Sequence, residues 1–192
     1  MRIIAGKYKG RRLESFKAEH IRPTTDRVKE TVFNILMREI PDARVLDLFA
    51  GTGNLGIEAL SRGAAYVEFV ESNPKSIRII RGNLNNLQVN EPHAVVSRDV
   101  FKFLKEYKGD PFQVILIDPP FTEVLAHACM TALAQSAAAN EGAVVVIESA
   151  KRERIDDEYG SFQLLDRRSF GDKSASFFRK ANRERDLVSR QL

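Results

Sequence analysis

Residues 47–56, with the sequence DLFAGTGNLG, join a predicted strand to a predicted helix and decide the fold. The residues before this loop form a short apolar run, and those after it have helical spacing. Gly51 and Gly53 allow the backbone to turn sharply and to approach a ligand, and Gly56 allows the helix to pack closely on the strand. A strand, a glycine-rich turn and a helix in this order are typical of nucleotide-binding α/β folds, and nicotinamide and flavin enzymes share them.

Strand and helix patterns alternate on both sides of this loop. Strands are predicted at residues 44–48, 65–70, 93–96, 112–117 and 143–147. Helices are predicted at residues 54–62, 73–87, 101–107 and 122–138. Residues 161–169 and 174–180 then flank a turn, as a strand–turn–strand ending. The sequence therefore predicts an α/β fold: a doubly wound, mostly parallel, Rossmann-like sheet of seven strands with an antiparallel C-terminal edge hairpin.

The first 40 residues have a different pattern. Residues 2–13 (RIIAGKYKGRRL) contain a glycine-bounded connection that predicts a small β-hairpin. Residues 23–26 (PTTD) have helix-start chemistry, and an apolar face follows them at helical spacing. This face consists of Val28, Val32, Ile35 and Leu36. We divide the chain into an N-terminal basic hairpin and helix appendage (1–40), the main domain (41–181) and a charged tail (182–192).

Composition limits the class of protein. The chain has 192 residues, of which 43% are hydrophobic and 29% are charged, as expected of one soluble domain. No apolar run approaches the roughly 18–20 residues that a membrane helix needs, so no membrane partner is expected. Cys129 is the single cysteine, which excludes an internal disulfide and fits a reducing, cytoplasmic setting. We expect a monomer.

Positive charge is concentrated near the N-terminus. Residues 1–38 hold ten Lys and Arg against four Asp and Glu, while the whole chain has a net charge of +4. The rest of the chain is therefore nearly neutral. This asymmetry indicates a polyanion that binds from one side.

Four acids fall at or just after the ends of the first four predicted strands, where open α/β sheets bind their ligands. Asp47 would repel a pyrophosphate but attract a ligand that carries an amine and a sulfonium. Glu71 is placed to accept hydrogen bonds from both hydroxyls of a ribose, and Asp99 from an adenine amino group. Together they favour S-adenosylmethionine over a dinucleotide. The expected cofactor site comprises Asp47, Phe49, Gly51, Gly53, Gly56, Glu71, Ser72, Asp99 and Val100.

The fourth acid, Asp118, begins the tetrapeptide Asp118-Pro119-Pro120-Phe121. The two prolines forbid a helix and remove two backbone N–H donors, while their carbonyls remain as acceptors. A carboxylate, free carbonyls and an aromatic ring suit a flat ring that carries an amino group. These four residues are the candidate catalytic group, and no metal site is expected.

In this order, DLFAGTG, Glu71, Asp99 and DPPF resemble the amino-methyltransferases of the class I S-adenosylmethionine-dependent fold. Residues 2–13, residues 22–36 (RPTTDRVKETVFNIL) and the later FGD turn more specifically resemble the bacterial 16S ribosomal RNA guanine-N2 methyltransferases. Phe121 departs from that family, in which Tyr is commoner. The resemblance implies methylation of the N2 amine of one guanine in 16S RNA, either naked or within a small-subunit assembly particle.

The resemblance also implies roles for individual residues. Asp118 and the Pro119 carbonyl would accept the two N–H bonds of the amine, and Phe121 would stack on the base. No covalent intermediate is needed. The candidates for RNA phosphate contacts are Arg2, Lys7, Lys9, Arg11, Arg12, Arg22 and Arg27.

Three alternatives remain open at this point. A DNA adenine-N6 or cytosine-N4 methyltransferase shares the tetrapeptide chemistry. A nicotinamide-dependent oxidoreductase shares the glycine loop, although Asp47 and the DPPF turn count against it. A non-catalytic RNA-binding protein could keep the same fold.

Overall fold

The computed structural model describes residues 1–15, 26–121 and 125–182, and its centre is one eight-stranded sheet. The strands are β1 (Arg44–Leu48), β2 (Tyr66–Glu71), β3 (His93–Ser97), β4 (Phe112–Ile117), β5 (Ala139–Ala150), β6 (Glu158–Tyr159), β7 (Phe162–Phe170) and β8 (Lys173–Lys180). The helices are α1 (Asp26–Ile35), α2 (Asn54–Ser61), α3 (Pro74–Asn86), α4 (Val100–Glu106) and α5 (Ala126–Ala134).

The strand order is β3-β2-β1-β4-β5-β8-β7-β6. Strands β1 to β5 pair in parallel, and β8 pairs antiparallel with both β5 and β7. The predicted doubly wound sheet with an antiparallel C-terminal edge is confirmed. The strand number was wrong by one, because the two-residue β6 is too short to show a hydrophobic alternation.

Helices cover both faces of the sheet, so its central strands are apolar on both sides. Val45 belongs to the cluster that contains Ile57 of α2, whereas Leu46 and Leu48 belong to the cluster that contains Met130 of α5. Because side chains alternate along a strand, Asp47 shares the face of Val45. That face carries α2 and the N-terminal segment.

The predicted N-terminal hairpin is present, with an antiparallel bridge between Arg2 and Arg12. Its turn packs against the end of α2. A Cβ atom on Gly6, whose φ is +81°, would lie 1.7 Å from the carbonyl oxygen of Ser61. The N–H of Lys7 donates to that same oxygen at 2.7 Å and supplies a partner to a carbonyl at the helix end. The hairpin therefore lies along α2, and its Ile3 side chain is part of the core.

The buried face of α1 differs from the predicted one. Ile35 is 40% exposed, whereas Phe33 is fully buried and Lys29 is 1% exposed. Val28, Val32 and Leu36 are buried as expected. The buried stripe is thus rotated toward Phe33, whose ring lies in the core beneath the Arg62 guanidinium, 5.0 Å from its centroid. The predicted helix-start residues 23–25 lie outside the described residues.

Two elements differ in length from their predictions. Strand β5 begins at Ala139 and continues to Ala150, past an irregularity in its pairing with β4, and α5 is correspondingly short. The extension lets Ala150 pair with Lys173 of β8. Within the described parts of the chain, no helix is long and apolar enough to cross a membrane. The domain boundaries at residues 40 and 181 stay predictions, and residues 183–192 of the tail lie outside the described residues.

Candidate donor and acceptor site

Strand register brings three of the four acids together at the carboxyl edge of the sheet. Leu48 of β1 pairs with Val70 of β2 and with Ile117 of β4. Glu71 and Asp118 are the next residues on those two strands, so both lie beside the end of β1. Their negative charges raise the pKa of Asp47, which agrees with this placement.

Asp47 is the most buried of these acids, with 1% of its surface exposed. Its Oδ2 accepts the backbone N–H of Gly56 at 2.8 Å. Burial raises the pKa of Asp47 to about 8, the hydrogen bond from Gly56 opposes the rise, and the nearby Asp118 and Glu71 add to it. A buried carboxylate among like charges is suited to a cationic ligand, because the cation would offset the unfavourable interactions.

Gly56 is required by close packing. A Cβ atom at this position would lie 2.2 Å from the ring of Phe69 and 2.9 Å from Oδ2 of Asp47. The glycine therefore brings α2 close enough to the sheet for its N–H to reach the carboxylate. This agrees with the role that the sequence pattern predicted for it.

The glycine loop has an unusual backbone. Phe49, Gly51 and Gly53 have φ values of 58°, 57° and 79°. The left-handed region is easily reached by glycine, but for Phe49 it stores roughly 1–2 kcal/mol of strain. Such strain concentrates where a ligand is held. The Phe49 ring meets Phe101 edge-on, with 6.4 Å between centroids, so an aromatic pair borders the loop.

Glu71 ties the end of β2 to the glycine loop. Its Oε2 accepts the N–H of Gly51, and its Oε1 accepts those of Ser72 and Asn73, each at 2.8 Å. A carboxylate has about four acceptor positions. Glu71 therefore keeps acceptor capacity on Oε2 for one ribose hydroxyl, whereas the sequence analysis expected two.

Asp99 and Val100 lie where β3 leads into α4. Asp99 is exposed and caps the helix, because its Oδ1 accepts the N–H of Lys102 at 2.9 Å. Only part of its carboxylate is thus available to a ligand. The side chain of Val100 is 2% exposed, so the backbone of this residue is the part that can meet an adenine.

The tetrapeptide that follows β4 forms the other side of the site. Asp118 and Phe121 are half-buried, Pro119 is buried and Pro120 is exposed. Pro119 thus packs into the protein, while Asp118 and Phe121 border its surface. Phe121 has a cationic neighbour that the sequence analysis did not predict, since Nζ of Lys173 lies 3.6 Å from its ring centroid.

The structure separates the predicted RNA-contacting cations into two groups. Lys7 pairs with Glu91 at 2.5 Å, and Arg11 donates to the carbonyl of Asn86 at 3.1 Å. Both partners lie at the amino edge of the sheet, because α3 ends there and β3 begins there. Lys9 belongs to the same turn.

The second group lies nearer the glycine loop. Arg2 pairs with Asp26 at 2.7 Å at the start of α1, and its carbonyl accepts a hydrogen bond from Lys29, which also bonds Asn54 at the start of α2. Arg12 bridges to Arg2, and Arg27 follows Asp26. Arg22 lies outside the described residues.

A buried polar network, also missed by the sequence analysis, connects the N-terminal segment to α2. Glu58 is fully buried and accepts from the N–H groups of Ile4 and Ala5 at 2.9 and 3.1 Å. It also pairs with Lys29 at 3.1 Å and with Arg62 at 2.8 Å. The sequence does carry a signal for this pair. Glu58 is the single acid of the apolar helix α2, and Lys29 lies on the apolar face of α1.

Asn83 makes a second bridge. It is 2% exposed, and its Oδ1 accepts the N–H of Glu14 at 2.8 Å. Its Nδ2 donates to the carbonyls of Glu14 and Thr52 at 3.2 and 3.0 Å. The N-terminal segment is thereby attached directly to the glycine loop.

The single cysteine is poorly suited to act as a nucleophile. Cys129 is buried in α5, and burial raises the pKa of its thiol. In the described part of the chain, no group of three or more His, Cys, Asp or Glu residues is arranged to hold a metal ion.

Comparison with known proteins identifies the family of this chain. The family described as "Conserved hypothetical protein 95" matches residues 1–179. The chain belongs to this family. "Ribosomal RNA small subunit methyltransferase D" of Haemophilus influenzae is 40% identical over 153 residues, which are 79% of each chain. The resemblance seen in the N-terminal motifs is confirmed, and so, at the level of the family, is the expected enzyme class, a methyltransferase.

Solved structures extend the similarity to the whole fold. The yhhF protein of Escherichia coli has a TM-score of 0.84 at 32% identity, over 94% of this chain and 98% of that one. SMU.776, solved in a complex with SAH, shares the fold at 18% identity and a TM-score of 0.64, over 79% of this chain and 49% of that one. The fold is shared with proteins that are described as methyltransferases, one of them solved with SAH.

Proposed function

We propose that the protein methylates the exocyclic N2 amine of a specific guanine in 16S ribosomal RNA, with S-adenosylmethionine as the methyl donor. One observation carries the proposal. Asp47 lies on β1, and the Asp118–Phe121 tetrapeptide directly follows its neighbour β4, so the glycine loop and the tetrapeptide lie side by side. The family relative named as a small-subunit ribosomal RNA methyltransferase supports the choice of RNA.

The residues of the donor side fit this cofactor. Asp47 gives up its proton beside a bound cation and then supplies a buried negative charge. Glu71 retains acceptor capacity for a ribose hydroxyl, and Asp99 and Val100 lie where an adenine would be held. When bound, the cofactor supplies an electrophilic methyl group on a sulfonium. Gly51 and Gly53 keep the loop free of side chains, so the backbone can follow the ligand closely.

On the acceptor side, the chain orients a weak nucleophile. The lone pair of the guanine amine is delocalised into the ring. The Asp118 carboxylate and the Pro119 carbonyl, each accepting one N–H, favour a pyramidal nitrogen whose lone pair is directed at the donor. They also stabilise the positive charge that develops on that nitrogen. Phe121 stacks on the base, which leaves its helix to enter the site.

The acidic donor pocket argues against a nicotinamide enzyme. Glu71 and Asp118 would repel a pyrophosphate at the glycine loop. We infer that the protein acts as a cytoplasmic monomer on 16S RNA, either naked or within a small-subunit assembly particle.

The test compares the wild type with Asp118→Ala on 16S RNA from cells that lack this gene. We expect Asp118→Ala to abolish methyl transfer while calorimetry shows nearly unchanged binding of S-adenosylmethionine. Asp118→Asn is the matched control for shape, and it should retain little activity because it loses the negative charge. An active Asp118→Ala enzyme would overturn the assignment.

A further inference from the structure

Lys173, the first residue of β8, reaches the candidate acceptor site from the opposite end of the chain. Its Nζ lies 3.6 Å from the centroid of the Phe121 ring, and the side chain is half-buried. A cation within about 6 Å of an aromatic face is attracted to it. The aromatic ring expected to receive the base is therefore held against a positive charge.

The sheet register explains this contact. Ile117, the last residue of β4, pairs with Ile147 of β5, and β5 then continues three residues further to Ala150. Ala150 pairs with Lys173. The start of β8 thus lies at the same height as the turn that follows β4, on the far side of β5.

Two more cations join Lys173 at this edge. Lys151 and Arg152 directly follow β5, and both are exposed. The N–H of Lys151 donates to the carbonyl of Asp172 at 2.8 Å, which fixes this segment to the β7–β8 turn. We call Lys151, Arg152 and Lys173 the β5–β8 basic surface.

The neighbouring acids only partly offset this charge. Asp172 is exposed in the turn, and Glu153 is occupied by the N–H groups at the start of α5, with the shorter distance 2.7 Å. Asp166 pairs with Arg168 at 2.7 Å, so those two side chains neutralise each other. Among the described residues, no carboxylate forms an ion pair with Lys151, Arg152 or Lys173, so these three cations are open to an anionic ligand.

We propose that the β5–β8 basic surface binds the RNA phosphates that flank the target guanine. This inference rests on the proposed function and names the part of the protein that holds its substrate. The occupant is a single-stranded or looped RNA segment, since a base can enter the site only when it is unstacked. Lys173 both steadies Phe121 and adds positive charge beside the base.

Location favours this surface over the hairpin turn. Lys9 and Arg11 lie toward the amino edge of the sheet, and strands of five or six residues separate the two edges by about 17–20 Å. Phosphates directly beside a base on Phe121 are within reach of the β5–β8 basic surface. The hairpin turn can contact only more distant parts of the RNA.

The experiment measures RNA affinity against salt for Lys151→Glu/Arg152→Glu and for the matched double variant Lys9→Glu/Arg11→Glu. The two variants change the charge equally at opposite edges. We expect the first variant to lose at least tenfold in RNA affinity. The slope of the logarithm of its association constant against the logarithm of the salt concentration should become shallower by about 0.7 for each phosphate contact removed. The second should lose less than threefold. Equal losses of RNA affinity in the two variants would overturn the proposal, because RNA would then respond to the total charge of the protein and not to this surface.

Lys173 is tested separately with Lys173→Met and Lys173→Arg. We expect Lys173→Met to raise KM for RNA several-fold, and Lys173→Arg to restore it. A KM for Lys173→Met equal to that of the wild type would remove Lys173 from the surface.

Binding of S-adenosylmethionine is measured for every variant and should equal that of the wild type. If the wild type methylates RNA but Lys151→Glu/Arg152→Glu binds RNA as tightly as the wild type, this inference is contradicted and the proposed function is not. A wild type that neither binds S-adenosylmethionine nor methylates RNA would contradict the proposed function itself.

Discussion

Lys29 and Glu58 form an ion pair in the core of the protein, with 3.1 Å between Nζ and Oε2 and side chains that are 1% and 0% exposed. Taking two charges out of water is costly, and the pair is retained only because further hydrogen bonds satisfy both groups. Lys29 also donates to the carbonyl of Arg2 and to Asn54, and Glu58 also accepts from the N-terminal segment. The pair therefore fixes the basic N-terminal segment to the helix that follows the glycine loop.

This arrangement predicts unequal effects for the two partners. Glu58→Gln leaves the buried Lys29 and the partly buried Arg62 without a counter-charge, and should lower the free energy of unfolding by about 3–5 kcal/mol. Lys29→Met should cost less, because Arg62 and two backbone N–H groups still bind Glu58. Urea unfolding measures both. Arg2→Met, at the exposed pair with Asp26, should change stability by less than about 1 kcal/mol. A larger loss for Lys29→Met than for Glu58→Gln would contradict this account.

Gly56→Ala and Gly82→Ala should have opposite effects on stability. Both glycines lie in helices, where alanine gains about 0.5–1 kcal/mol. A Cβ at Gly82 would meet only Oε2 of Glu14, at 3.9 Å, so that variant should be more stable than the wild type. At Gly56 the Cβ would lie 2.2 Å from Phe69, so Gly56→Ala should be destabilised and should bind S-adenosylmethionine more weakly. Thermal unfolding with calorimetry measures both effects, and a stabilised Gly56→Ala protein would refute the packing argument.

Asp47 predicts a specific dependence on pH. Its pKa rises from 3.8 to about 8 on folding, chiefly through burial, with Asp118 and Glu71 nearby. The unfolded chain releases this proton near pH 4, while the folded protein keeps it until about pH 8. Asp47 thus contributes stability below pH 4 that is lost as pH rises toward 8. Asp47→Asn should remove that decline from the pH profile of the free energy of unfolding, and an unchanged profile would show that the pKa is not raised.

The same residue predicts proton release when the cofactor binds. A cationic ligand favours the carboxylate form, so affinity for S-adenosylmethionine should rise with pH up to about 8 in the wild type. Calorimetry at pH 6.5 in buffers of different ionisation enthalpy measures the released proton. Asp47→Asn should bind S-adenosylmethionine weakly and should release no proton on binding. Equal proton release by the wild type and by Asp47→Asn would assign it to another group.

If Phe121 stacks on the target base, its replacement by Ala and by Tyr should affect kcat/KM differently. Stacking on a base contributes about 1–3 kcal/mol, so Phe121→Ala should lower kcat/KM for RNA by roughly 5- to 150-fold. Phe121→Tyr keeps the ring and should stay close to the wild type. Binding of S-adenosylmethionine should be unaffected in both. If the two variants lost activity equally, stacking would not be the role of the ring.

The sequence predicted those elements and site residues that depend on patterns of neighbouring residues. The alternation of apolar runs located the five parallel strands, and the motifs located Asp47, Glu71 and Asp118, which the strand register brings to one edge. The two-residue strand β6 was not predicted, because its formation depends on pairing with β7 rather than on its own composition. Lys29 and Glu58 escaped because each looks like an ordinary charged helix residue until the tertiary fold brings them together. Lys173 escaped because its contact with Phe121 depends on how far β5 extends.

The most direct test of the central claim is the identity of the methylated nucleoside. The wild-type protein is incubated with S-adenosylmethionine and 16S RNA from cells that lack this gene, and the RNA is then digested and analysed by mass spectrometry. The account predicts N2-methylguanosine at a single position, and none with Asp118→Ala. Methylation of an adenine or a cytosine, or of a guanine ring nitrogen, would contradict it.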